Sequence, residues 1–258
     1  MNEIPLRERH RWFRSMTSSQ AIAVSVFGNL KMYGFLGLLN ELHCEDGQPI
    51  FGKEAITSKN FRMEYKIDLL GEPRPTSLDA LITGKHPVAI ECKLLEQEVG
   101  SCSRPRLRRS ASNYKKDFCN GTYTVQRGRT SRCSLTEIGV KYWKHVPRVF
   151  KWTSDADLMP CPLRANYQLV RNLLAVSVPS DVMPSGSGHV VLVYDERNLA
   201  FQEGGKVYAA FEATRSALLE PKRLRKCSWQ QITRKIRGER RLSWLADQIG
   251  AKYGITYF

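Results

Sequence analysis

Residues 18–43, SSQAIAVSVFGNLKMYGFLGLLNELH, set apolar side chains at helical spacing behind Ser18, a good N-cap, and predict one long buried helix. Gly28, Gly34 and Gly37 weaken that helix or mark close packing against a neighbour. Phe61, Met63, Tyr65 and Ile67 then alternate with polar residues over 60–68, the pattern of a half-buried strand. A turn-rich GEPRP (71–75) leads to 77–96, where two β-favouring runs flank Gly84-Lys85 as a hairpin would. Residues 97–132, rich in Ser, Arg and Gly, read mostly as loop. Ser134-Leu135-Thr136-Glu137 has the form of a capping box, opening a helix to about Val146. Residues 164–178 predict an amphipathic helix, PSGSG (184–188) a turn and HVVLVYD (189–195) a buried strand. The last fifth reads as helical around 212–219, 228–237 and 241–252. Helix, three strands, helix, strand and helices predict an α/β domain with a mixed sheet.

At 258 residues, 42% apolar and 10% aromatic, the chain has enough material for one large packed domain or two small ones. That composition excludes global disorder, a collagen-like repeat and a disulfide scaffold. Seven cysteines, an odd and thinly spread set, point to a reducing compartment with free thiols or a metal site. The first residues contain no apolar run of signal-peptide length, and Asn29, Lys31 and glycines interrupt the most apolar stretch, 21–39. The expectation is a soluble cytoplasmic protein with no membrane partner.

Charge changes the picture. Forty Lys and Arg against 25 acids give +15, and the excess is local. Residues 101–152 carry 13 basic and 2 acidic side chains, and 220–241 carry 9 and 2. Localised positive charge on a near-neutral body is the footprint of a polyanion binder, whereas solubilising charge is normally mixed in sign. Arg104, Arg106, Arg108, Arg109, Lys115, Lys116, Arg127, Arg129 and Arg132 are the candidate nucleic-acid contacts, with DNA the expected partner and RNA not excluded.

The sharpest candidate chemistry lies in the hairpin. Glu91 and Lys93 project from one face of a strand and Ile90 and Cys92 from the other. Asp79 starts the partner strand, where an antiparallel turn brings it beside Glu91. Two carboxylates at a strand edge suit Mg²⁺, which keeps several waters and takes one or two protein carboxylates. The plainer reading is a strand-end aspartate and an exposed Glu–Lys pair.

Asp79, Glu91 and Lys93 in this strand-turn-strand context resemble the core of the PD-(D/E)XK nuclease superfamily, although Leu78 stands where that pattern often has proline. The resemblance implies a restriction-endonuclease-like mixed sheet flanked by helices. It further implies Mg²⁺ or Mn²⁺ held by Asp79, Glu91 and the backbone carbonyl of Cys92, with Lys93 assisting hydrolysis. Ser18-Ser19-Gln20, Glu64 and Tyr167-Gln168-Leu169 resemble a bacterial restriction-type branch. Gln168 is placed to meet a phosphate or the attacking water, or else is a helix-surface amide. Glu64 is a third site acid or the partner of Arg62 or Lys66, and Glu41 is a further candidate from the first helix. On this reading 1–258 is a single domain. Its core covers about 18–195, a basic, cysteine-containing insertion about 97–163, and a C-terminal helical extension about 212–258.

Cys102, Cys119, Cys133 and Cys161 fall within that insertion. They suit a structural Zn²⁺ or an iron–sulfur cluster, or are unrelated thiols; no CxxC pair is present. Cys44, Cys92 and Cys227 read as core or incidental residues. Tyr114, Tyr123, Tyr142 and Trp143 either stack on exposed bases or belong to the core. The five histidines show no ligand spacing and no nucleophile partner, and Gly204-Gly205 fits no phosphate-cradling motif. The expected function is metal-dependent hydrolysis of DNA in restriction or repair, by a chain that is a candidate homodimer. The alternative is a binding protein that keeps the fold and does not cleave.

Overall fold

The computed structural model describes residues 15–122, 133–152 and 160–256, so Tyr123, Arg127, Arg129 and Arg132 lie outside the described residues. In chain order, α1 (Ser19–Ala23) passes through a π-helical turn (Val24–Gly28) into α2 (Asn29–Met32). Strands β1 (Phe61–Ile67), β2 (Thr76–Ile82) and β3 (Val88–Cys92) follow, then short helices α3 (Tyr114–Asp117), α4 (Ser134–Glu137) and α5 (Tyr142–His145). The remainder is α6 (Leu163–Ala175), β4 (His189–Tyr194), α7 (Lys206–Ala217), β5 (Leu224–Ser228), α8 (Trp229–Gly238) and α9 (Ser243–Tyr253).

The five strands form one sheet in chain order, antiparallel from β1 to β3 and parallel from β3 to β5. Each face buries its own core. Leu169, Leu173, Val207 and Phe211 of α6 and α7 cover one side, against Leu81, Ala89 and Leu192. Ile22, Val26 and Leu30 of the first helical run cover the other, with Trp229, Ile232 and Ile249 of α8 and α9, against Ile90, Val191 and Val193. The expected α/β architecture, a mixed sheet with flanking helices, is what the chain forms. No helix among the described residues is long and apolar enough to cross a membrane.

Four local expectations change. The helix predicted over 18–43 stops at Met32, because Gly34 takes φ +79°, and a 3-10 turn over Leu36–Glu41 replaces its last part. The capping box at Ser134 does not form: Cys133 is the N-cap residue without a side-chain bond, and the segment is two short helices around Gly139 at φ +92°. In the C-terminal stretch, β5 adds a strand beside β4, so the sheet runs past residue 195. Finally, the apolar residues of β1 do not share one face. Phe61 and Met63 pack with the α8–α9 side, whereas Tyr65 and Ile67 pack with the α6–α7 side. The switch falls at Glu64, whose φ of +48° is left-handed, and the opposite strand changes face between Leu78 and Ala80. The β1–β2 ribbon therefore rolls over where Glu64 faces Asp79.

Candidate active site

Asp79 lies where β2 peels away from β3. The regular ladder between them ends at Ala80 and Ile90, and the Asp79 carboxylate takes the next N–H itself, accepting from Cys92 at 2.6 Å. Glu91 and Lys93 project toward α6, opposite the apolar face that Ile90 and Cys92 share. The plainer reading of an exposed Glu–Lys pair is overturned, since Glu91 is 2% and Lys93 8% exposed.

Two amides one helical turn apart on α6 complete the cluster. Lys93 Nζ donates to Gln168 Oε1 at 2.9 Å and sits 2.8 Å from Glu91 Oε1. Asn172 Nδ2 donates to the other oxygen, Glu91 Oε2, at 2.8 Å. Gln168 thus turns toward the cluster and is half-buried. Asn172, buried and four residues on, was missed, although the i, i+4 spacing from Gln168 is a signal the sequence carries.

The first helix supports the cluster from the far side. Ser18 caps it by accepting from Ala21 N, Ser19 donates to Glu96 Oε1 at 2.5 Å, and Gln20 donates to Glu64 Oε1 at 2.8 Å. Glu96 in turn accepts from Leu94 N at 2.6 Å, fixing the chain just beyond Lys93. Glu64 also accepts from Ser77, and its charge reaches Asp79. Glu41 stays away from the cluster, in an ion pair with Lys235.

Electrostatics follow from this crowding. Asp79 keeps part of its surface open, yet dense surrounding protein and then the facing Glu91 push its carboxyl well above the usual range; Lys93 and the Cys92 N–H oppose them. Burial alone would lower the Lys93 ammonium, but Glu91 and then Asp79 outweigh it and hold the group above its ordinary value. Lys93 is a fixed cation here, not a base. Two acids, Glu91 and Asp79, crowd that single ammonium, with Glu96 a smaller influence on it.

The basic side chains divide. Arg106, Arg108, Arg109, Lys115 and Lys116 are exposed, but Arg104 is committed to Asp117 at 2.6 Å. Tyr114 and Tyr142 are buried: Tyr114 packs on Phe118 at 4.6 Å, and Tyr142 meets Tyr167 and Glu72. Cys102, Cys119, Cys133 and Cys161 are all buried around one small cavity, whereas Cys92 and Cys227 belong to the core beside α8. Among the described residues no group of three or more His, Cys, Asp or Glu side chains is arranged, as it stands, to hold a metal ion.

A mixed five-stranded sheet with an acid–acid–lysine cluster at the end of its central hairpin defines a restriction-endonuclease-like α/β protein. A family model described as "Restriction Endonuclease associating with ARP" matches residues 3–254, and the chain belongs to that family. No curated protein and no solved structure matches it.

Proposed function

We propose that the chain is a Mg²⁺-dependent nuclease of the PD-(D/E)XK type that hydrolyses DNA. The observation that supports it most is the meeting of Asp79, Glu91, Lys93 and Gln168: the Lys93 ammonium ties Glu91 to Gln168, and the Cys92 N–H holds Asp79 beside them. The donor set fits a hard divalent cation. Two carboxylates converge with an excess of negative charge that one ammonium does not offset, and Mg²⁺ needs only one or two protein carboxylates beside its waters. Asp79, Glu91 and the carbonyl of Cys92 would hold it. Each oxygen of Glu91 accepts one hydrogen bond and keeps lone-pair capacity. Mg²⁺ bound there would supply positive charge against the scissile phosphate and ease deprotonation of water.

The chain's own groups do the positioning. Two of the three Lys93 donors are spent on Glu91 and Gln168, which leaves one to aim at a phosphate oxygen or the attacking water. Gln168 turns its Oε1 to Lys93, so its NH₂ is the end that can donate to substrate. Asn172 holds Glu91 in one rotamer. Incubating supercoiled, linear and single-stranded DNA with and without Mg²⁺ or Mn²⁺ tests the reading. DNA retained with no strand cut under any of these conditions would favour the non-cleaving alternative.

Gly100 gives a prediction specific to this geometry. Its φ is +76°, and a Cβ there would lie 2.9 Å from Gln168 Oε1 and 3.1 Å from Gln168 Cβ. Gly204 has a similar φ of +82° with nothing within 4 Å of the same position. Both Gly100→Ala and Gly204→Ala should cost about 1–3 kcal/mol of backbone strain. Only Gly100→Ala should push Gln168 off Lys93 and slow cleavage on the folded fraction, by roughly 10-fold for one displaced polar contact. Equal rates for the two variants would remove Gln168 from the machinery.

We read 97–163 as an insertion whose exposed cations track the substrate backbone. Neutralising Arg106, Arg108 and Arg109 should flatten the slope of log affinity against log salt by about 0.9 for each lost contact on duplex DNA. Neutralising Arg104 should lower stability more than affinity, because it removes the guanidinium paired with Asp117 and leaves that carboxylate the Asn113 amide. An unchanged slope for the triple variant would turn this cluster away from the substrate.

A further inference from the structure

Cys102, Cys119, Cys133 and Cys161 come from separate stretches of chain, yet all four line one cavity of about 10 Å³, the space of a single atom-sized occupant. Each is between 7% and 9% exposed. Cys102 interacts electrostatically with Cys133 and Cys119, and Cys161 with all three others. The backbones are cross-tied as well: Cys161 N donates to Gly121 O at 2.9 Å, Cys102 N to Leu163 O at 3.1 Å, and Cys119 N to Arg104 O at 3.5 Å.

One local design recurs at three of them. The Cys102 sulfur accepts from the Arg104 N–H, the Cys161 sulfur from the Leu163 N–H, and Gly121 N donates to Cys119 Sγ at 3.4 Å. In each case the amide two residues on turns back to the sulfur. A neutral thiol is a weak acceptor, and the same three amides would support sulfurs that bind a cation. Incidental core cysteines would have no reason to share the arrangement. The helices α3, α4 and α5 between Cys102 and Cys161 are only four residues long, too short to hold themselves or their basic neighbours in place.

We propose that these four cysteines form a tetrathiolate site for one Zn²⁺, which fixes residues 102–122 and 133–135 against the start of α6. Soft thiolates in a closed tetrahedral set are the usual structural zinc ligands, and a cavity for one atom is too small for a multi-iron cluster. As placed, the four sulfurs are not at coordination spacing. Coordination would need the four sulfurs to draw together over the cavity they line. The proposal stands apart from the nuclease reading, since the site shares no residue with Asp79, Glu91 and Lys93.

Elemental analysis of the full, tag-free chain, purified without chelators from medium supplied with zinc and iron, tests it. About one equivalent of zinc is expected. Cys102→Ser and Cys161→Ser should lose that zinc, while Cys44→Ser, Cys227→Ser and Glu91→Gln keep it. Should the site variants not fold, titrating the wild-type protein with a mercurial should release one zinc as four thiols react. A folded wild-type chain far below one equivalent of zinc overturns the proposal, and so does iron in its place with visible charge-transfer absorption.

Discussion

Glu91→Gln is expected to slow Mg²⁺-dependent DNA cleavage by about 10³-fold or more, the equivalent of roughly 4 kcal/mol of transition-state stabilisation. The substitution preserves shape but removes the charge and turns one of the two acceptor oxygens into a donor. The glutamine carbonyl can keep Lys93, and its NH₂ can donate to Asn172 once that amide, 2.8 Å from the present Oε2, flips. Lys93 does not become an orphan, because Asp79 is also close enough to raise its affinity for a proton. Removing the Glu91 charge also relieves one of the causes that raise the Asp79 carboxyl, so the Asp79 carboxylate takes over part of the pairing. Folding and DNA affinity should therefore be nearly unchanged, and the loss falls on catalysis. Lys93→Ala is a poorer probe: it would leave buried carboxylates uncompensated and cost about 3–5 kcal/mol of stability, mixing unfolding with lost chemistry. Single-turnover cleavage, thermal melting and DNA binding of Glu91→Gln, measured on one preparation, separate the terms. Wild-type cleavage by a pure, folded variant would remove Glu91 from the reaction.

The central hairpin was legible because its residues obey local rules. Val88, Ala89 and Ile90 lead into Glu91 as a buried strand should, and Gly84, at φ +146°, makes the turn before it. The charges of Glu91 and Lys93 read against that apolar run. What stayed hidden is set by tertiary contact. Nothing in the sequence announces that a glutamate at position 64 takes a left-handed φ and rolls the ribbon beside Asp79; alternation alone puts Tyr65 on the wrong face. Ser19, Glu96 and Asn172 are ordinary polar residues until the fold brings them to the cluster. Likewise β5 is a five-residue edge strand carrying Arg225 and Lys226, the kind of charge that protects an edge from further pairing and also masks it as a strand.

The start of α8 also holds Lys93 in place. Ser228 ends β5 and caps α8 through a reciprocal pair with Gln231, which presents Trp229 at the first helical position. Trp229 is fully buried, packs against Phe27 at 5.7 Å between ring centroids, and donates Nε1–H to the Lys93 carbonyl at 2.9 Å. On the other side, Lys93 N donates to Val193 O at 2.8 Å. The backbone of the lysine is thus clamped between β4 and α8 while its side chain reaches the opposite face. Trp229→Ala should destabilise the protein by about 3–5 kcal/mol, through the cavity it leaves and the carbonyl it strands. Trp229→Phe keeps most of the ring and loses the donor, at a cost of about 1–2 kcal/mol. Because the freed carbonyl belongs to Lys93, Trp229→Phe should also slow cleavage several-fold on the folded fraction, an effect a remote core substitution of equal cost would not produce. Urea midpoints at constant m-value give the stability terms, and cleavage rates corrected for folded fraction give the rest. A Trp229→Ala loss under about 1 kcal/mol would mean that α8 does not anchor β3 in this way.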